Sequence, residues 1–247
     1  MLTVPHMRVC SFSDDGTGLR IHPVLHTQSG HGTWSRSSFR WDPTMNESDI
    51  RQAVIAKLSS MKAGQGAAFI SELFLDNFSR RADLVAANGK LGVFEIKSSK
   101  DTLNRLDGQL ETYLRYFEQV TVVCDSKHLD NVKAGAPASV GIWCVGPTGV
   151  IRIVRAPRQI TIDASAWLSF LPVDELRRFA KHVGVIASGC RSALVLRLQL
   201  TDVRRVRAYV LEYLKRRDNR IEALRSRRER RSVSIDMRQR TRSLLEL

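Results

Sequence analysis

Asn88-Gly89 stands between two largely apolar runs, Ala82 to Ala87 and Lys90 to Lys97. An Asn-Gly pair in that setting is the strongest short signal for a tight β-hairpin, because both residues tolerate the positive φ that a twist-matched turn demands. Within the second run, strand alternation puts Phe94 and Ile96 on one face and Val93, Glu95 and Lys97 on the other. Pairing around the turn brings Asp83 beside Glu95. Two carboxylates and an ammonium therefore meet on an otherwise apolar hairpin, where they are costly to desolvate unless they pair or bind a cation. A hard, oxygen-preferring cation such as Mg²⁺ suits such a pair.

The elements around the hairpin follow from periodicity. Ile50, Val54, Ile55 and Leu58 form one face of a helix that Asn46, Ser48 or Asp49 can cap. Ala67 to Leu75, carrying Glu72, is a short apolar element that periodicity leaves ambiguous between strand and helix. Leu103, Leu106, Leu110, Leu114 and Phe117 make one stripe of a helix over Thr102 to Phe117. Gln119 to Asp125, Val140 to Val145 and Val150 to Val154 read as strands, with a helix from Ser126 to Lys133 between the first two. Helices are expected at about 173–187, 190–199 and 202–217, with Ser188-Gly189 separating the first two. The order predicts an α/β fold with a C-terminal helical extension.

Charge divides the chain. The formal excess is +1 over residues 1–44, +3 over 45–160 and +10 over 161–247, together +14. So local a basic excess makes nucleic acid the leading polyanionic partner, although Arg-rich solvated helices also occur without one. Residues 1–44, rich in Ser, Gly, Thr and His, read as a flexible leader, 45–160 as a domain, 161–217 as a helical subdomain and 218–247 as an Arg-rich tail. Cys10, Cys124, Cys144 and Cys190 are scattered without a CxxC pair, which fits a reducing cytoplasm. No apolar run reaches the length of a membrane helix. A homo-oligomer is neither required nor excluded.

An ExK triplet is common by chance, and its plain reading is a surface hairpin salt bridge. Three features add to it here: Glu72 lies eleven residues before Asp83, Ser98, Ser99 and Lys100 follow directly before a helix, and that helix carries Gln109 and Tyr113 four residues apart on one face. Glu72, Arg81-Ala82-Asp83-Leu84, Phe94-Glu95-Ile96-Lys97-Ser98 and Gln109-Leu110-Glu111-Thr112-Tyr113 resemble the motifs of PD-(D/E)XK nucleases of the RecB-like, QxxxY-bearing branch. Residues 45–130 are similar to an uncharacterised bacterial family of that superfamily, with Asp101 to Leu106 part of the pattern. Ala82 stands where the superfamily's name has Pro.

The resemblance implies a restriction-endonuclease-like αβββαβ core with a mixed central sheet. It implies that Asp83, Glu95 and the Ile96 carbonyl hold Mg²⁺ or Mn²⁺, that Glu72 completes the shell or holds a second metal, and that Lys97 serves the attacking water or the phosphate. Gln109 and Tyr113 are then expected to position substrate or buttress the shell, with Arg105 a phosphate contact. The function expected is metal-dependent hydrolysis of phosphodiester bonds, in DNA first, for processing, repair or defence. The alternative is a non-cleaving nucleic-acid-binding or adaptor module on the same scaffold.

Other candidates carry less. His22, His26 and His31 lack a Cys or acidic partner at structural-zinc spacing, and Gly64-Gln65-Gly66 has no Lys-Ser/Thr after it to make a phosphate loop. Arg204, Arg205, Arg207, Lys215, Arg216 and Arg217 either decorate a small helical subdomain or face a phosphate backbone.

Overall fold

Six strands form one mixed sheet in sequential order. The computed structural model describes residues 45–75 and 80–219; the expected leader, the three leader histidines and nearly all of the expected tail lie outside the described residues. The strands are β1 (Ala68–Leu75), β2 (Arg80–Ala87), β3 (Leu91–Lys97), β4 (Gln119–Asp125), β5 (Gly141–Val145) and β6 (Ile151–Arg155). β1, β2 and β3 run antiparallel to their neighbours, β3, β4 and β5 run parallel, and β6 turns back antiparallel. The expected mixed α/β sheet with C-terminal helices is thus what the chain forms, and the ambiguous element at 67–75 is a strand.

The hairpin closes over residues 88–90, one more than the expected two-residue turn: Ala87 pairs with Leu91 and Leu84 with Phe94, and only Gly89 of the Asn-Gly pair takes a positive φ, +66°. That conformation is cheap for glycine and strained for a residue with a Cβ.

Helix α1 (Glu47–Ser60) begins at a reciprocal capping box between Asn46 and Asp49 and buries Ile50, Val54 and Leu58 against one face of the sheet, over Leu84, Phe94, Ile96 and Trp143. Helix α2 (Leu106–Tyr116) lies on the other face. It starts later than Thr102 because Asp101 folds back, its carboxylate accepting from the Ser98 amide at 2.7 Å and the Ser98 hydroxyl at 2.6 Å, so the chain completes a tight turn first. A short 3₁₀ turn and α3 (Leu129–Gly135) connect β4 to β5.

The C-terminal helices are α4 (Ala164–Ser169), which periodicity did not isolate, α5 (Val173–Val183), α6 (Arg191–Leu198) and α7, helical over residues 203–219. Gly184, at φ +76°, ends α5 in a left-handed cap. These helices do not build a core of their own. Trp167, Leu168, Leu176, Phe179, Leu194, Val206 and Leu214 join Val93, Val120, Leu110 and Phe117 in one continuous apolar cluster. The expected division at residue 160 is therefore a change of secondary structure and not a break in packing.

Three polar side chains anchor α7 to the sheet. Arg207 makes a bidentate pair with Glu118, at 2.8 and 3.1 Å, bonds the Gly89 carbonyl and covers the Trp167 ring. Further along, Lys215 donates to Asn88 Oδ1 at 3.1 Å, and the Phe69 amide donates to Asp218 Oδ2 at 3.2 Å. Among the described residues, no helix is long and apolar enough to cross a membrane.

Candidate active site

The residues singled out on β3 and α2 meet at one end of the sheet. β3 is buried along its whole length, so Glu95 and Lys97 leave it into a closed space under α2. Gln109 and Tyr113, one turn apart on α2, face the same space. Lys97 Nζ donates to Glu95 Oε1 at 2.9 Å and to Gln109 Oε1 at 3.0 Å, while Gln109 Nε2 donates to Glu95 Oε1 at 2.5 Å. That triangle fixes the orientation of the Gln109 amide. The Tyr113 hydroxyl donates to Glu95 Oε2 at 2.7 Å, with the Arg81 carbonyl at 3.2 Å. Burial, followed by the adjacent Glu95 charge, pushes the Tyr113 phenol far above its usual range, so Tyr113 stays a neutral donor.

Asp83 reaches this cluster through an interruption of the sheet. The β1–β2 register runs from Ala68 with Ala87 to Ser71 with Leu84, resumes at Leu73 with Ala82, and skips Glu72 and Asp83. Glu72 there takes φ +57°, a conformation that costs a non-glycine residue about 1–2 kcal/mol. Both strands switch faces at the skip: Ile70 and Leu73, like Ala82 and Val85, lie in the same apolar cluster although they stand three positions apart, which in an unbroken strand would put them on opposite faces. Past the Leu84–Phe94 pair, the Asp83 carboxylate takes the Ile96 amide at 2.8 Å in place of a ladder partner. Asp83 thus stands in the plane of the sheet beside Glu95.

The electrostatics record that proximity. Burial, then the Glu95 charge and Glu47 in the first turn of α1, raise Asp83 from 3.8 to about 7, against the opposing pull of the Ile96 amide and Lys97. Glu47 is the acidic residue that sequence reasoning missed. Its place at a helix start reads as an ordinary complement to the helix dipole, and nothing local says that α1 carries it towards Asp83. Arg51 pairs with it one turn on.

Glu72, expected to complete the acidic set, is instead half-exposed and paired with Arg81 at 3.5 Å. The positive φ explains the departure, since it turns the residue out of the ladder just where the strand would have carried it past Asp83. Arg105, before the first turn of α2, is exposed. Of the basic residues expected to face a phosphate backbone, Arg207 and Lys215 are turned inward onto the hairpin, Arg204 chelates Asp202, and Arg216 lies by Glu175 and Tyr209.

No three His, Cys, Asp or Glu side chains converge in metal-ligating geometry among the described residues. The donor set is therefore two carboxylates, Asp83 and Glu95, with the Ile96 backbone between them. That set fits Mg²⁺ or Mn²⁺, which are held by one or two carboxylates and complete their shells with water and substrate phosphate. Burial first and the Glu95 charge second raise Asp83, and a divalent cation would offset both by favouring the charged carboxylates.

A stability consequence follows with a definite sign. Because Asp83 titrates higher in the folded chain than unfolded, the folded state holds the extra proton between about pH 4 and pH 7, and stability falls as pH rises through that window. Asp83→Asn removes the buried charge while keeping an acceptor for Ile96. The variant is expected to be more stable than the parent at pH 8 by about 2 kcal/mol, roughly 4–8 °C, converging with it near pH 4. Thermal melts across that range, without divalent cation, measure this. A variant that melts lower at pH 8 refutes the account of Asp83.

Comparison with known proteins places the chain. A family model described as "Bacteriophage P4 protein cII" matches residues 41–240. "Protein cII" of Enterobacteria phage P4 is 32% identical over 182 residues, which cover 70% of this chain and 68% of that protein. A solved structure, the SPO1766 protein of unknown function from Silicibacter pomeroyi, is similar at 16% identity with a TM-score of 0.37, over 66% of this chain and 91% of the other. None of these descriptions names an activity.

Proposed function

We propose that this chain, which belongs to the bacteriophage P4 protein cII family, is a divalent-metal-dependent nuclease of the PD-(D/E)XK kind, hydrolysing phosphodiester bonds in DNA. One observation carries the reading: Asp83, Glu95, Lys97, Gln109 and Tyr113, drawn from two strands and a helix, converge at an interruption of the sheet. Charged groups are rarely buried in such numbers for stability, since replacing them with apolar residues is often neutral or favourable.

Asp83, Glu95 and the Ile96 carbonyl would hold the cation. The chemistry it supplies when bound is polarisation of a phosphoryl oxygen and acidification of a nearby water. Lys97 carries a positive charge at the same spot, placed to orient the attacking water or to offset charge developing on the phosphate. Gln109 holds the Lys97 ammonium against Glu95, and Tyr113 as a neutral donor holds Glu95 by its other oxygen. Arg205, Arg217 and the formal +10 of residues 161–247 supply attraction to the backbone.

The test is incubation of the purified chain with single-stranded, duplex and branched DNA in Mg²⁺ or Mn²⁺, paired with thermal melts. Cation-dependent cleavage, and a melting temperature that rises with cation in the parent but not in Asp83→Asn, are the expected results. Failure to cut any of these substrates sinks the reading. A specific observation favours a second one in that event: both Glu95 oxygens already have protein donors, so the cluster is satisfied without an ion. The chain is then a nucleic-acid-binding or adaptor module on the same fold, recognised by salt-dependent DNA binding without turnover.

A further inference from the structure

Phe74 lies two residues past the strained Glu72, on the edge strand β1, and 52% of its surface is exposed. Its partner across the antiparallel ladder is Arg81, whose side chain is also 52% exposed. Paired residues of such a ladder share a face, with their Cβ atoms about 4.5–5.5 Å apart. A phenyl ring and a guanidinium therefore stand side by side, both open to solvent.

Their outward position is the product of the skip. In unbroken strands Phe74 would share a face with Ile70, and Arg81 with Val85, under α2; the skip sends Leu73 and Ala82 there instead. On the opposite face, the apolar cluster beneath α1 takes in Phe69, Leu84 and Ala86 and stops short of this tip of the sheet. Strained backbone beside converging charged groups points to function, and its effect here is to turn a ring and a cation outward. The tip also borders the site. The Arg81 carbonyl lies 3.2 Å from the Tyr113 hydroxyl that donates to Glu95, and Arg81 is two residues, about 7 Å, from Asp83. The ion pair of Arg81 with Glu72, 3.5 Å long and half-exposed on both sides, is worth little in water and leaves further guanidinium N–H groups for another acceptor.

We infer that Phe74 and Arg81 form a platform for an unpaired stretch of DNA at the mouth of the site, a base stacking on the Phe74 ring while the adjoining phosphate takes the Arg81 guanidinium. The inference rests on the nuclease reading for the choice of polymer, and it names the substrate class as DNA with single-stranded character. Every base has a face that can stack on an aromatic ring, so the platform tolerates any sequence. A duplex gains nothing from it without unpairing and unstacking a base first.

Affinity of the full chain for a fluorescein-labelled single strand of mixed sequence, and for the matching duplex, is measured by anisotropy in EDTA, where no cleavage intervenes. The parent is expected to prefer the single strand. Phe74→Ala is expected to weaken single-strand binding roughly 10-fold, as loss of one stacked base does, and duplex binding by less than about twofold. The melting temperature should stay in place, since the ring is half-exposed. Phe74→Trp should keep the affinity and add indole fluorescence that the single strand quenches. Arg81→Gln should reduce the magnitude of the log-log salt slope on the single strand by about 0.7. Equal losses on single strand and duplex in Phe74→Ala, no loss on either, a parent that prefers duplex, or an unchanged slope in Arg81→Gln overturns the inference. Absence of quenching in Phe74→Trp overturns it too, however Phe74→Ala folds. The two readings fail separately: cleavage by a chain whose Phe74→Ala variant binds single strands like the parent removes only the platform, and Phe74-dependent single-strand binding without cleavage removes only the nuclease.

Discussion

Lys97→Met is expected to cost about 10²- to 10⁴-fold in single-turnover cleavage of DNA while leaving DNA binding in place. The magnitude follows from the position of the ammonium. It is buried, bonded to Glu95 and Gln109, and so held at the carboxylate pair without rearrangement when substrate arrives. Removing the ammonium leaves the buried Glu95 charge with only the neutral donors Gln109 and Tyr113, so a stability loss of about 3–5 kcal/mol accompanies the change, and rates are compared at a temperature where melts show both proteins folded. Lys97→Arg should not restore the rate, since a planar guanidinium cannot occupy the triangle that a compact ammonium closes with Glu95 and Gln109. Cleavage within tenfold of the parent in Lys97→Met would falsify the proposed role of Lys97.

The second large effect is on stability and lies at the opposite end of the hairpin. Glu118 is 4% exposed, and its carboxylate is bound by Arg207, the Leu91 amide and Gln159. Removing only the cation, as in Arg207→Met, strands a buried carboxylate, and the expected loss is about 3–5 kcal/mol, or roughly 6–20 °C in melting temperature. Removing both charges, with Glu118→Gln added, should recover most of that loss, because the penalty belongs to the unpaired charge and not to the absence of a salt bridge. Urea unfolding of the two single variants and the double variant measures the coupling. A loss below about 1 kcal/mol in Arg207→Met would show that Glu118 has access to water or to another cation, and that α7 is not anchored in this way.

That pair also corrects the sequence reading of the basic surface. Counting charge finds Arg207 and Lys215 among six candidates for phosphate contact, yet Arg207 is engaged by Glu118 and the Gly89 carbonyl and Lys215 by Asn88, at the turn of the β2–β3 hairpin whose other end carries Asp83 and Glu95. A net charge reports how many ions a segment carries and nothing about which way they point, which depends on the helix phase and on what the helix packs against.

The hairpin that opened the sequence reading was legible because every term in it is local. Asn88-Gly89 marks where the chain turns, although the turn takes one residue more than expected, and period-two alternation places Glu95 and Lys97 on one face, so Asp83, Glu95 and Lys97 come together within a stretch of fewer than 20 residues. The helical period does the same for Gln109 and Tyr113. What only the tertiary structure decided is non-local. The skip at Glu72 and Asp83 arises between two paired strands, sends Asp83 to the Ile96 amide and Glu72 outward to Arg81, and leaves Glu47, from a helix packed on the far face, as the third carboxylate whose field reaches Asp83. Residue spacing determines what a single strand or helix presents; which of two acidic residues stands by a third is settled by packing between elements, where no sequence period applies.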